Sequence, residues 1–375
     1  MNRIQVIDSL RGFALLTIML VHSANHFNAP EVEKSLFYEG ILNGYFKELM
    51  DLLIVGKSYL IFSLLFGLGF YLQIRRKLEK NQGYYSFFLK RLFVLGLIGF
   101  FLGLFYNGEI LLFYSLFGIV LLPLSRLSTR INLLVAIFLI FQIPTWLFSE
   151  FDISLMPIGK EDQSMFVYGD QGTFKDLMEY NLWEGRLLTW TYYFRVGRHY
   201  QMVGFFILGM LLSRIEFFQR IDKFGKILNW SAGSTLIFGL LFYLLNKIFI
   251  FDQNLTIYIR SIESAFLAIG ITCAFISSFL KFKSAFIFRA LAHYGKNSLT
   301  NYFTQCIIGV VLFYGFGFGL YKSLGIILSS FLGLLVFVIQ VGISQFWNER
   351  FLNGPLEWFW RATTSLDYTI PFRIK

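Results

Sequence analysis

Cysteine is nearly absent: the 375 residues contain only Cys273 and Cys306. Both fall in apolar runs, so no disulfide framework and no metal site is expected, and both read as packing residues. Charge is scarce as well, at 15% of residues against 56% hydrophobic, with mean hydropathy +0.61. No internal repeat is visible, which leaves the inverted symmetry common in secondary transporters without support. No clean small-x-small cleavage site follows the first apolar run, and that run carries Arg11 and His22. It reads as a retained helix and not as a signal peptide. Long polar stretches are missing too, with one exception at 150–192. That segment is too apolar for a disordered tail and too short for a separate catalytic domain. It is expected to form an extracytoplasmic cap with a short helix around 174–183.

What is present is a series of apolar blocks near the twenty-residue length that crosses a hydrocarbon core. The spans read as 10–28, 50–73, 87–106, 110–125, 131–149, 193–213, 227–250, 262–280, 298–315 and 324–346. The expected fold is all-α, a polytopic transmembrane bundle of about ten helices forming one integral-membrane domain over 1–375. An even number of spans puts both termini on one side. With that side cytoplasmic, 22 of the 33 Lys and Arg lie inside and 10 outside, leaving Lys57 within a span. The net charge of +10 thus reports orientation in the membrane and contact with anionic lipid, and no nucleic-acid partner is expected. The tail 347–375 alternates charge with Trp358, Phe359 and Trp360 and reads as a cytoplasmic interfacial segment.

The polar residues inside the spans are the candidates for chemistry. Arg11 and His22 are eleven residues apart, which places them on one helical face and about 16 Å apart along the axis. Asp8, Arg11, His22, Asn25 and His26 share a stripe about 120° wide. Asp8 is placed to pair with Arg11 at the inner mouth, and imidazole suits proton transfer near neutrality. A local salt bridge and a structural histidine are the plainer accounts of the same residues.

Lys57 is expected at about the depth of His22, either snorkelling outward or beside the imidazole in one cavity. Gly67 and Gly69 signal close helix approach. Glu109 and Glu263 each open a helix at the outer rim, where the macrodipole alone favours a carboxylate. Arg195, Arg198 and His199 precede the sixth span and either line an acceptor vestibule or sit in a solvated loop. Asn297, Asn301 and Gln305 repeat every four residues, which suits interhelical amide bonds or a face toward a cofactor.

The blocks IDSLRGFALLTIMLVH, GKSYLIFSLLFGLGF, KRLFVLGLIG with GEILLFYSLFGIVLL, and GKNSLTNYFTQCIIG with GPLEWFWR together resemble the YeiB-like bacterial membrane proteins, known as domain of unknown function 418. The likeness runs from residue 3 to about 364, with Glu109 standing where that family's GDIL block has Asp. The first helix is in turn similar to those of membrane acyltransferase-3 and heparan glucosaminide acetyltransferase proteins, which share an Arg, ten intervening residues and a His. That likeness implies an acyl-CoA donor, with acetyl-CoA the first choice, delivered from the cytoplasm to an acceptor hydroxyl or amine at the outer face. Arg11, with Asp8, would then bind the donor and His22 would act as base or acyl carrier. Lys57 and Glu109 would position the reacting groups, and Asn297, Asn301 and Gln305 would line the cofactor path. A transporter or flippase whose polar stripe lines a solute or proton path is the alternative, and a non-catalytic partner whose polar residues specify packing is the third reading. The implied partners are the bilayer and a small-molecule, glycan or lipid-linked acceptor, with a homodimer as a further option.

Overall fold

The computed structural model describes residues 5–27, 40–80, 83–147 and 172–374. Among them every regular element is helical, apart from one isolated antiparallel bridge between Phe351 and Arg373. In chain order the helices are α1 (Gln5–Val21), which runs into a π-helical turn (His22–His26), α2 (Gly40–Leu53), α3 (Ser58–Glu79), α4 (Tyr85–Phe105), α5 (Leu111–Gly118), α6 (Leu121–Leu124), α7 (Thr129–Ile140) and α8 (Ile143–Leu147). The second half holds α9 (Phe174–Leu182), α10 (Glu184–Arg195), α11 (Arg198–Arg214), α12 (Gly225–Ile248), α13 (Gln253–Lys281), α14 (Phe286–Lys296), α15 (Ser298–Phe313), α16 (Ile326–Asn348) and α17 (Pro355–Ser365).

Six stretches among the described residues are long and apolar enough to cross a membrane: Gln5–Asn25, Ile41–Glu79, Tyr85–Phe105, Ile221–Ile248, Gln253–Lys281 and Ile326–Asn348. The chain is a multi-pass membrane protein, and among the described residues two of the ten expected spans are interrupted. The expected span 110–125 breaks at Ile119–Val120, ahead of Pro123, whose ring would clash with the carbonyl of Ile119 in a continuous helix. The expected span 131–149 breaks at Gln142, which adopts φ +51° between α7 and α8.

Burial decides which helices make the core. The α1 window is 72% buried inside the protein and that of α12 only 17%, so α1 is an axial helix and α12 faces outward. Two glycine contacts lock α1 to its neighbour. A Cβ on Gly12 would strike the Leu291 carbonyl, and one on Gly295 would strike the Asp8 carbonyl. The backbones of α1 and α14 therefore touch, as small residues permit in membrane interfaces, and this carries Lys296 to the side of α1 that bears Arg11. Gly67 and Gly209 join α3 to α11 in the same reciprocal way, Gly67 against Phe206 and Gly209 against Leu64.

Of the expected cap, residues 150–171 lie outside the described residues. The rest forms α9 and α10. Thr173 and Asp176 make a capping box at the start of α9: Thr173 Oγ1 accepts from the Asp176 N–H (3.3 Å) and Asp176 Oδ2 accepts from the Thr173 N–H (2.8 Å). Two backbone donors are thereby satisfied, which places the helix start where the sequence put it.

Candidate functional site

Two cavities lie at opposite ends of α3. The larger, about 1110 Å³, surrounds the C-terminal half of that helix and the Arg11 turn of α1. The smaller, about 670 Å³, lies around the N-terminal end at Lys57. The 22 residues of α3 span about 33 Å at 1.5 Å per residue, roughly a bilayer core.

The larger cavity has a basic mouth. Seven cationic side chains line it (Arg11, Arg76, Lys77, Lys80, Arg91, Lys296 and Arg361) against the acidic Asp8, Glu79 and Glu357. Arg11 is held as the sequence predicts, with Nη1 donating to Asp8 Oδ1 at 3.1 Å, and Gly69 of α3 faces its guanidinium, where a Cβ would make an ordinary van der Waals contact at 3.5 Å. From this mouth the cavity runs inward to Leu111, Tyr114 and Tyr302.

The C-terminal tail is a wall of that cavity. Trp360 donates from Nε1 to the Arg91 carbonyl (2.8 Å), and the Arg91 guanidinium stacks 3.4 Å above the Trp360 ring. Glu357 caps α15: Oε1 accepts from the N–H groups of Leu299 (2.6 Å) and Thr300 (3.2 Å), and Oε2 accepts from Thr300 Oγ1 (2.6 Å). Burial raises the Glu357 carboxyl above its ordinary range, against the opposing pull of those hydrogen bonds. Within the tail 347–375, Trp360 and Arg361 line this cavity. They lie there because Pro355 starts a helix whose Glu357 carboxylate docks on the open N-terminus of α15.

His22 stands where α1 changes to a π-helical turn, and the Phe27 N–H donates to its carbonyl at 2.7 Å. Such turns interrupt α-helices frequently at functional sites. The imidazole is only 5% exposed. It packs against Tyr106 (4.8 Å between centroids), Phe27 (5.6 Å) and Tyr302 (6.2 Å). His22 lines neither cavity; the Tyr302 ring separates it from the inner end of the larger one. The side chain of His26 lies outside the described residues.

Glu109 is close by but not at a solvent rim, which corrects its expected exposure: it is 4% exposed. Its Oε2 accepts from the N–H groups of Leu111 (2.7 Å) and Leu112 (3.1 Å), so it caps α5. Its own N–H donates to the Tyr106 carbonyl (3.4 Å), and the next N–H, of Ile110, donates to the Tyr302 hydroxyl (3.1 Å). His22 and Glu109 thus converge on the same pair of tyrosines, Tyr106 and Tyr302.

Lys57 is not beside His22. Its Nζ donates to Glu263 Oε1 at 3.1 Å and to the Asp51 carbonyl at 2.6 Å, with the side chain 3% exposed. The turn before α3, with Gly56 at φ +79°, points Lys57 toward α13 and the smaller cavity. Glu263, expected to be an ordinary helix-start carboxylate, is its buried counter-ion.

The amide stripe of α15 is tied to its neighbours. Asn301 Nδ2 donates to the Tyr294 carbonyl (2.8 Å) and Ser344 Oγ (2.9 Å). Gln305 Oε1 accepts from the Tyr294 hydroxyl (3.3 Å), which also donates to Gln340 Oε1 (2.7 Å). Asn297, Asn301 and Gln305 are buried and line neither cavity. The interhelical account fits Asn301 and Gln305.

Sequence reasoning missed Arg76, Lys77, Lys80 and Arg91 as lining residues because the same clusters carry the orientation signal. Tyr59 and Tyr114 gave no signal at all. The Tyr114 hydroxyl donates to the Tyr59 carbonyl at 2.8 Å. Tyr114 lines the larger cavity and Tyr59 the smaller, so one layer of side chain divides them.

A family described as "Protein of unknown function (DUF418)" matches residues 212–367. The whole chain is similar to the uncharacterized protein YxaH of Bacillus subtilis, 27% identical over 98% of this chain and 95% of that one. It is similar in the same way to the uncharacterized protein YeiB of Escherichia coli, 27% identical over 97% of each. An uncharacterized 39.9 kDa protein in the amylase 3' region of Bacillus acidopullulyticus is 28% identical over 97% of this chain and 94% of that one. No solved structure matches the chain.

Proposed function

The chain belongs to the YeiB-like family of DUF418 membrane proteins, and from that premise we propose that it is an integral-membrane acyltransferase using an acyl-CoA, with acetyl-CoA the first choice, as donor. The observation that carries this reading is the larger cavity: a mouth with seven basic side chains, Arg11 held by Asp8, and an inner end at Tyr302, whose ring packs on His22. Guanidinium groups bind phosphate oxygens in pairs, and a volume of about 1110 Å³ is at the upper end of ordinary small-molecule sites, suited to a long nucleotide-tethered thioester. The basic end is cytoplasmic in this reading, by the same charge asymmetry that orients the spans.

The chemistry assigned to the site is one proton transfer and one acyl transfer. Rotation of the Tyr302 side chain opens the inner end of the cavity to the imidazole. His22 takes the proton from an acceptor hydroxyl or amine. The acceptor oxygen or nitrogen bonds to the thioester carbon, the carbon–sulfur bond breaks, and the thiolate leaves to be protonated by the imidazolium. Buried Glu109 holds Leu111 and the Tyr302 contact in place and is a positioning residue, as is Arg11 for the donor.

The test is incubation of the purified full-length protein, in nanodiscs, with acetyl-labelled acetyl-CoA. Release or transfer of label is expected, lost in His22→Ala, while Arg11→Gln raises KM for the donor with a smaller effect on kcat. A transporter is the second reading, favoured by two cavities at opposite ends divided by the Tyr59–Tyr114 contact. Absence of both donor binding and turnover in the wild type, together with His22-dependent solute flux in vesicles, would establish that reading in place of the enzyme.

A further inference from the structure

We propose that the smaller cavity binds an anionic sugar, a ring of hydroxyls bearing a carboxylate or a phosphate. Five basic and three acidic side chains line it. Two of the acids are committed: Glu263 to Lys57 (3.1 Å) and Glu48 to Lys247 (2.6 Å). That leaves Arg195, Arg198 and Arg260, none with a carboxylate partner among the described residues, facing one cavity with Asp51.

The sequence builds this cluster through one turn. Arg195 ends α10, Gly197 takes φ +65°, and Arg198 begins α11. A Cβ at Gly197 would press on the buried Gln142 amide at 2.8 Å, and Gln142 itself donates to the Val196 carbonyl (3.1 Å). The turn is pinned from behind, so both arginines project from a fixed backbone. Arg198 is then held among rings, 4.8 Å from Tyr192, 5.3 Å from Tyr59 and 5.5 Å from Tyr193. Stacking orients a guanidinium whose remaining N–H groups can meet planar carboxylates and phosphates, beside the hydrogen bond Arg198 makes to Tyr193.

An isolated anion would not need Asp51. The Asp51 carboxylate on the same lining can accept hydrogen bonds from hydroxyls, and exposed Tyr192 offers a flat apolar face; together these suit a sugar ring attached to the anion.

Titration calorimetry on the full chain in detergent, with no acyl donor present, decides the matter. The probes are glucuronate, glucose 6-phosphate and glucose. Saturable binding is expected for at least one anionic probe, and which one binds tells carboxylate from phosphate. Glucose should bind at least tenfold more weakly. Arg198→Gln should weaken the anionic probe at least tenfold, with Arg198→Lys recovering only part, and Arg260→Gln should act in the same direction, each in protein whose Tm and elution volume match the wild type. Arg11→Gln should bind the probe normally. No binding of either anion, equal binding of glucose, or unchanged affinity in both folded Gln variants would overturn the proposal. Loss of label transfer with probe binding intact would instead count against the acyltransferase reading alone.

Discussion

Lys57 and Glu263 show at the scale of single residues how a buried charge constrains this protein. Their side chains are 3% and 6% exposed, so neither ion is solvated on its own. Removing one partner of such a pair typically costs about 3–5 kcal/mol, whereas replacing both with apolar groups is often neutral. Lys57→Met is therefore expected to lower Tm sharply in detergent, and Lys57→Met with Glu263→Leu to recover most of the loss. Equal Tm values for the single and double variants would show that the pair is not coupled. His22 is constrained differently, by aromatic packing on three sides. It is that packing, and not hydration, that its replacement would disturb first.

At the scale of elements the glycine contacts make a sharp contrast. Gly295→Ala puts a methyl group into the Asp8 carbonyl and forces α14 off α1, an overpacking cost of about 1–3 kcal/mol. Gly233→Ala on α12 meets nothing within 4 Å and is expected to stabilise by about 0.5–1 kcal/mol through helix propensity. Thermal unfolding of the two variants should move in opposite directions. The capping box of α9 makes a pH prediction. The Thr173 hydroxyl and N–H hold the Asp176 carboxyl below its ordinary range. A depressed carboxylate contributes stability that is fully present above its unfolded value, about pH 4, and is lost as pH falls through the folded one. Protection of the α9 amides, taken relative to their intrinsic exchange rate at each pH, should fall as pH drops from 5 to 3, and Asp176→Asn should remove that dependence.

At the scale of the molecule, the tail helix closes a cavity built by residues far away in sequence. Trp360 is bonded to Arg91, and Glu357 holds the start of α15. Trp360→Ala is expected to weaken donor binding several-fold, with a smaller effect on the second cavity. Titration with a non-hydrolysable acyl-CoA analogue would measure the first effect and glucuronate or glucose 6-phosphate the second. An equal loss at both cavities would mean that the tail acts on overall stability.

The amino-acid sequence by itself determined what local spacing encodes. Apolar blocks of bilayer length made the chain a membrane bundle, the three-residue step from Asp8 to Arg11 made their ion pair, and Thr173 with Asp176 marked the start of α9. Each depends on neighbours within one or two helical turns, where the backbone alone places the side chains. Tertiary structure alone decided that Lys57 meets Glu263, 206 residues away, that Arg91 meets Trp360, and that Asn301 bonds to Ser344. Helical periodicity says which face a residue occupies but not which helix covers that face. In an apolar bundle many faces are chemically alike, so close packing at Gly12, Gly67, Gly209 and Gly295 chooses the partners. The clusters of Arg and Lys, spread along the chain and read there as an orientation signal, converge around one cavity only in the fold.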